Sequence, residues 1–97
     1  MHTLAVIVYI EVSLQIPHAQ SLKDKRQCIK GVKERLHSGF NASVAEIAAQ
    51  DSWQRAVFGV VMIASDKSYL QSQVSQVENY LSTLADLVLL DTQIQWL

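Results

Sequence analysis

The hydrophobic pattern divides the chain into six segments, of which the first alternates most regularly. Between Leu4 and Ile16 every second residue is apolar. This period is that of a β-strand, and the many β-branched residues favour extended backbone, so we predict a strand that ends at Pro17. Its apolar face consists of Leu4, Val6, Val8, Ile10, Val12, Leu14 and Ile16. Its other face consists of Thr3, Ala5, Ile7, Tyr9, Glu11, Ser13 and Gln15.

Two segments have apolar residues at the spacing of amphipathic helices. The first opens at Ser21-Leu22-Lys23-Asp24, a capping-box pattern with Asp in place of Glu, and Gly39 is its expected stop signal. Ser65 or Asp66 is expected to cap the second helix. The predicted buried stripes are Leu22, Ile29, Val32 and Leu36 in the first helix and Leu70, Val74, Val77, Leu81 and Leu84 in the second.

Three further segments are predicted strands. The segment 41–48 has a weaker pattern, and the next, from Trp53 or Arg55 to Ala64, is apolar on both faces. Apolar residues on both faces favour a central place in the sheet. The last segment, from Leu87 to Trp96, alternates again.

The order βαββαβ predicts an α+β fold of the ferredoxin-like type. Right-handed crossovers place both helices on one face of a four-stranded antiparallel sheet with strand order 4-1-3-2. The chain has 97 residues, 49% of them hydrophobic, with one Pro and three Gly. This composition predicts a single globular domain over residues 1–97 without long loops.

Positive charge is concentrated in one segment. Six of the eight Lys and Arg residues lie between Ser21 and His37, where two acids bring the net charge to +4, whereas the rest of the chain carries −5. Such asymmetry concerns partners rather than the fold. On a helical wheel one set of cations falls within about 80°: Lys23, Arg26, Lys30, Lys33 and His37.

This basic stripe has two interpretations. It could contact a polyanion such as RNA, because cations recur roughly every 5 Å along a helix and phosphate contacts need no sequence specificity. Alternatively, it is an ordinary solvated face. Lys25 lies nearer the apolar stripe and is expected to snorkel from the edge of the core.

A second candidate surface lies between the middle strands. A four-residue loop, Ala49 to Ser52, would place Glu46 opposite Arg55 as a cross-strand ion pair. Together with Trp53 and Gln54 these residues could form a recognition patch. The alternative is that they only stabilise the hairpin.

A third candidate surface is the sheet face that no helix covers. It should present Ala5, Ile7 and Tyr9, and the central strand should add either the set with Val57, Gly59, Val61 and Ile63 or the set with Phe58, Val60 and Met62. Contiguous apolar patches usually mark interfaces. We therefore predict a homodimer, or a partner protein, at a surface that includes Ala5, Ile7, Tyr9 and Val61. The alternative is that a long C-terminal strand bearing Trp96 covers this face.

Several kinds of chemistry lack support in the sequence. His2, His18 and His37 share no ligand spacing with Cys28, so no metal site is expected. The loop from Pro17 to Gln20 has neither the Gly nor the Arg of the acylphosphatases, which share the predicted fold. No Gly-rich nucleotide loop follows the first strand. We expect no cofactor and no enzymatic activity.

The chain is also expected to be cytoplasmic. A single Cys28 fits a reducing compartment. The N-terminus lacks the basic region of a signal peptide, and the first apolar stretch is too short and too polar to span a membrane. Membrane partners are therefore not expected.

Four sequence blocks resemble the YlxP-like family of small bacterial proteins of unknown function. They are Ile16-Pro17, Ser21-Leu22-Lys23-Asp24-Lys25-Arg26, Asn41-Ala42-Ser43-Val44-Ala45-Glu46 and Asp51-Ser52-Trp53-Gln54-Arg55-Ala56. The resemblance implies a ferredoxin-like fold. It also implies an association with translation, since genes of the family often lie among those for ribosome maturation. Many relatives have Gly after the Pro where this chain has His18, which argues against an anion-cradling loop.

Three functional hypotheses follow from these observations. The first is a non-enzymatic module that binds structured RNA or a ribosomal particle through the basic helix. The second is an interaction protein that uses the open sheet face. The third is a regulatory domain that binds a small ligand between subunits.

Overall fold

The computed structural model describes residues 4–97, so His2 and Thr3 lie outside the described residues. The elements are β1 (Val6–Gln15), α1 (Leu22–Phe40), β2 (Ser43–Ala48), β3 (Arg55–Ala64), α2 (Lys67–Ser82) and β4 (Val88–Trp96). All strand pairs are antiparallel and the sheet order is β2-β3-β1-β4. This is the predicted order 4-1-3-2 read from the other edge. The α+β class and the βαββαβ order are therefore confirmed.

The hydrophobic core lies between the sheet and both helices. The β1 residues Val8, Ile10, Val12 and Leu14 are fully buried, as the alternation predicted. Their partners across the β1–β3 ladder are buried too, namely Met62, Val60, Phe58 and Ala56. Buried residues of α1 and α2 belong to the same cluster, so both helices cover one face of the sheet. The other face carries no described helix.

Helix α1 begins as predicted but ends later. The Ser21 hydroxyl accepts a hydrogen bond from the Asp24 backbone N–H at 3.0 Å, which satisfies one free donor of the first turn. The predicted stop at Gly39 is wrong, because the helix continues to Phe40 and Asn41 then takes the left-handed conformation with φ 51°. Asn tolerates this conformation better than most residues. Gly39 instead makes room for Arg35, whose Nε would lie 3.1 Å from a Cβ at that position.

Helix α2 follows the predicted pattern closely. Asp66 is the N-cap and accepts a hydrogen bond from the Ser68 backbone N–H at 3.2 Å. The predicted residues Leu70, Val74, Val77 and Leu81 are its buried stripe. Leu84 lies beyond the last helical residue, yet it still packs against the core.

Two irregularities depart from the predicted strands. The loop between β2 and β3 covers residues 49–54 and is longer than predicted, with Ala49 at φ 60° and a register shift between Glu46 and Ala48. A second register shift in the β1–β4 ladder leaves Leu90 without a partner on β1. Each shift inserts an extra residue, so the side chains beyond it change faces. Leu89, rather than Val88 or Leu90, therefore packs against the core.

Candidate anion-binding site on helix α1

Three residues of the predicted basic stripe meet at a groove between α1 and β2. Arg26, Lys30 and Lys33 line a cavity of about 440 Å³. Ile29 contributes an apolar surface there, and Glu34 and Glu46 contribute two carboxylates. The volume lies within the usual range of ligand sites, roughly 300–1,000 Å³. We call these six residues the basic groove.

The other two stripe residues lie outside the basic groove. Lys23 is exposed in the first turn of α1, and His37 is exposed in the last turn. His37 Nδ1 is 2.9 Å from the Ala42 carbonyl oxygen. A carbonyl can only accept, so Nδ1 carries the proton and Nε2 is left for another partner. His37 thereby links the end of α1 to the start of β2.

The cations that line the basic groove are not neutralised within the described chain. The one ion pair among residues 4–97 joins Lys25 to Glu46. No carboxylate of that range therefore lies within 4.0 Å of the charged groups of Arg26, Lys30 or Lys33. Counting Lys25 with the groove, four cations face two acids, so the surface is net positive. These charges are available to an anionic partner.

Lys25 is a structural residue, and the prediction that it snorkels to the surface is wrong. Its side chain is 1% exposed. Lys25 Nζ lies 2.8 Å from Glu46 Oε2 and donates a hydrogen bond to the Ala49 carbonyl at 2.7 Å. The contact ties the first turns of α1 to the end of β2. Its position could have been found from the sequence, because Lys25, Ile29, Val32 and Leu36 share one helical stripe.

Glu46 does not pair with Arg55, so that prediction is also wrong. Glu46 lies opposite Phe58 and faces the helices, whereas Arg55 lies opposite Gln15 on β1. Alternation along β3 places Arg55 on the other face of the sheet. The longer loop and the register shift after Glu46 are the cause. Glu46 Oε2 is buried, and Lys25 Nζ at 2.8 Å is the one polar partner that the described residues offer it.

The remaining residues of the predicted recognition patch lie near the loop from β2 to β3. Trp53 is 53% exposed beside Asp51 and Ser52. The Gln54 side-chain amide donates to the carbonyls of Pro17 and Ala19 at 3.2 and 3.1 Å, so it holds the connection between β1 and α1. The structure thus separates Glu46 from Trp53, Gln54 and Arg55, and Gln54 has a structural contact of its own.

The N-terminus of α1 already has an acid beside it. Asp24 Oδ2 accepts a hydrogen bond from the Gln20 backbone N–H at 3.1 Å. The carboxylate occupies the place that an anion would take at the positive end of the helix. An anion that approaches α1 would therefore meet the side chains of its basic stripe.

The open sheet face carries the predicted apolar residues. Ile7 and Tyr9 lie on it, and β3 adds Val61 and Ile63, since the alternative set is buried in the core. Ala5 is exposed just before β1 and has no partner in the ladder. Ile63 is 61% exposed. The face becomes polar towards β4, where Gln93 and Gln95 lie beside Glu11 and Tyr9.

Tyr9 crosses the open face above Gly59. A Cβ at Gly59 would lie 3.1 Å from the Tyr9 ring, so the missing side chain lets the ring lie flat against the strand. The Tyr9 hydroxyl donates a hydrogen bond to Glu11 Oε1 at 3.0 Å. Desolvation first, and then the hydrogen bond and negative charge of Glu11, raise the pKa of Tyr9 above its ordinary value of 10.0.

Residues 4–97 contain no group of three or more His, Cys, Asp or Glu side chains arranged to hold a metal ion. Within the same range, no helix is long and apolar enough to cross a membrane. Cys28 is a free, exposed thiol that shares a cavity of about 470 Å³ with His18, Asp24 and Asp86.

Comparison with known proteins identifies the family of this chain. Residues 7–94 match the family model described as Protein of unknown function (DUF503). The chain belongs to this family. It is also similar to Uncharacterized protein YlxP of Bacillus subtilis (strain 168), with 30% identity over 91 residues that cover 94% of this chain and 99% of that protein. The resemblance to YlxP-like proteins is thereby confirmed.

A solved structure supports the fold alone. The De novo designed protein Foldit4 aligns with a TM-score of 0.54 at 16% identity, covering 96% of each chain. Lys25, Glu46 and Gln54, whose side chains make the contacts described above, come from three of the sequence blocks that carry the family resemblance. Those blocks converge where the start of α1 meets the β2–β3 loop.

Replacing Lys25 tests the buried pair. Lys25→Met should lower the free energy of unfolding by about 3–5 kcal/mol, because it leaves Glu46 Oε2 buried without its opposite charge. Urea unfolding followed by tryptophan fluorescence measures the change. Lys30→Met is the matched control on the exposed face and should change stability by less than about 0.5 kcal/mol.

A double variant separates charge from packing. Lys25→Met with Glu46→Leu should recover most of the lost stability, because an apolar pair replaces two buried charges. If Lys25→Met and Lys30→Met lowered the free energy of unfolding equally, the buried ion pair would not contribute to stability.

Glu11→Gln tests the environment of Tyr9. It removes the negative charge, so the pKa of Tyr9 should fall towards 10 while desolvation keeps it above that value. Carbon-13 NMR of the tyrosine ring carbons resolves each residue, and Tyr80 serves as the internal control. In the parent protein the raised pKa means that the folded state holds this proton more tightly. Stability from this group is therefore lost as pH rises above 10. An unchanged Tyr9 titration would contradict the proposed role of Glu11.

Proposed function

We propose that this protein is a non-enzymatic, ferredoxin-like binding module of the cytoplasm that contacts structured RNA or a ribosomal particle through α1. The observation that carries the proposal is the charge distribution. Helix α1 holds six of the eight Lys and Arg residues, and the cations of the basic groove have no acidic partner among the described residues.

The geometry suits a phosphate backbone. Arg26, Lys30 and Lys33 are spaced by four and three residues, so their side chains follow one side of the helix at intervals of about 5 Å. Neutralising phosphates with such cations releases counterions, which gives affinity that weakens as salt rises. The net negative remainder of the chain would repel the same polyanion, so binding is directed to the α1 side.

The fixed position of α1 on the sheet also supports a role in binding a polyanion. The Lys25 contact to Glu46 and Ala49 holds the start of α1 on the sheet, directly beside the groove. Because α1 is fixed at this point, its cations are held in one arrangement, which lowers the entropy lost on binding. The gene neighbourhood that the YlxP-like resemblance implies, among genes for ribosome maturation, favours a ribosomal target.

Reversing two groove charges tests the proposal. Lys30→Glu with Lys33→Glu should abolish co-sedimentation with ribosomal particles at low salt, because two phosphate contacts become repulsive. For the parent protein, the logarithm of the binding constant should fall linearly with the logarithm of the salt concentration. The slope should be about −0.9 for each phosphate contact.

The control carries the same change of net charge elsewhere. Arg55→Glu with Lys67→Glu reverses two cations outside α1 and should leave co-sedimentation nearly unchanged. Equal loss in both double variants would show only a net-charge effect. Parent binding that is insensitive to salt, or that survives the groove reversal, would contradict the proposal.

The exposed sheet face favours a second candidate function, in which a protein partner covers it. Val61 and Ile63 are exposed next to Ile7 and Tyr9, on a face without a described helix. Such patches usually mark interaction sites. A small ligand held between subunits, the third hypothesis, has no comparable observation in its favour.

Dye binding tests whether this face is open. The native protein should bind the apolar dye 8-anilinonaphthalene-1-sulfonate, and Ile63→Lys should remove most of the fluorescence without lowering the melting temperature. Ser38→Lys, an exposed substitution on α1 and therefore on the opposite side of the sheet, is the control and should retain the signal. A native protein that binds no dye would mean that the face is already covered.

A further inference from the structure

The two edges of the sheet differ in how well they are protected. Strand β2 is six residues long, is interrupted by a register shift, and directs the charged Glu46 inwards. Short length, irregularity and inward charges are devices that prevent an edge strand from pairing with another chain. Strand β4 has nine residues, and its own register shift is confined to Leu90 near its start. From Val88 to Leu97 it contains no Lys, Arg or Pro and only one acid, Asp91.

The backbone of β4 has an alternating set of outward groups. The Leu97 N–H donates to the Ile7 carbonyl at 2.9 Å. In an antiparallel ladder, residues alternate between those bonded to the neighbour and those directed away from it. Gln93 and Gln95 therefore bond towards β1, as Leu97 does. The N–H and C=O groups of Thr92, Ile94 and Trp96 point away from the sheet, where no described strand lies.

We propose that β4 pairs in antiparallel fashion with β4 of a second copy of this chain, about a two-fold axis at Ile94. The two sheets would then form one continuous sheet of eight strands. In this register Ile94 faces the partner's Ile94, and Thr92 faces the partner's Trp96. All three outward residues therefore exchange backbone hydrogen bonds with the outward residues of the partner.

The side chains agree with this register. Ile94 lies on the helix side of the sheet, opposite Ile10, yet it is 42% exposed because it sits at the edge. Pairing with its copy would bury both apolar side chains. On the other face Gln93 would lie opposite the partner's Gln95, where two amides can each donate and accept. Asp91 would lie opposite the partner's Leu97, so the two Asp91 side chains do not face each other.

A neighbouring register fits less well. A two-fold axis at Gln93 would place Trp96 opposite the partner's Leu90, which is the unpaired residue of the β1–β4 register shift. That shift disturbs the local backbone, so both symmetry-related pairings of Trp96 with Leu90 would lose their hydrogen bonds. Two bonded residue pairs would remain, against three for the axis at Ile94. The axis at Ile94 is the one that uses every outward residue of the regular part of β4.

Disulfide trapping tests the register directly. With Cys28→Ser as background, Ile94→Cys should oxidise rapidly to a covalent dimer, because paired residues have Cα atoms about 5.5 Å apart and a disulfide spans 4.4–6.8 Å. Gln93→Cys is the control and should react much more slowly, since diagonal residues lie about 7–8 Å apart. Faster linkage of Gln93→Cys would overturn the register.

Sedimentation equilibrium tests the interface without cross-linking. The parent protein should move from monomer to dimer as its concentration rises, and Ile94→Lys should remain monomeric because it places two cations against each other. Ile63→Lys, on the open face, should dimerise like the parent. Circular dichroism should show both variants folded. A parent monomer at every concentration, or a dimer lost through Ile63→Lys but not Ile94→Lys, would overturn the proposal.

Discussion

The arrangement of this protein depends on one buried contact, between Lys25 of α1 and Glu46 of β2. Lys25 is fully buried, and its ammonium group also binds the carbonyl of Ala49, whose backbone adopts a positive φ. Removing either charge would leave the other without compensation in a poorly solvated place. The contact therefore fixes where α1 begins relative to the sheet edge, and Gln54 fixes the loop that leads into the same helix.

The consequence is a division of the surface into regions of different chemistry. Cations lie on the α1 side, beside β2, and exposed apolar residues lie on the open face of β1 and β3. The edge of β4 carries outward backbone groups that no described strand pairs with, and one charged residue, Asp91. These regions are separated by the sheet itself, so a polyanion and a second copy of the chain need not compete. A dimer formed through β4 would carry one basic groove at each end of a continuous sheet, and two linked sites strengthen binding to a particle that presents both targets.

The sequence pattern was a good guide where one interaction dominates. The alternation in β1 and the stripe in α2 predicted buried residues correctly, because burial of apolar side chains outweighs other local preferences. It was a poor guide at Gly39, where the glycine suggested a stop, yet the helix runs one residue further and Asn41 takes the left-handed conformation. It also failed for Glu46 and Arg55, since a single extra residue in a strand reverses the faces, and nothing in the local sequence marks the site of the shift.

The amino-acid sequence by itself determined the element order, the sheet topology, the buried faces of β1 and the two helices, and the concentration of positive charge on one helix. These follow from hydrophobic period and from composition, which are local properties of the chain. Only the tertiary structure decided that Lys25 is buried against Glu46, that Gln54 holds the preceding loop, and that three stripe cations share a groove. Those outcomes depend on contacts between residues about twenty or more positions apart, whose geometry is set by strand register and loop conformation.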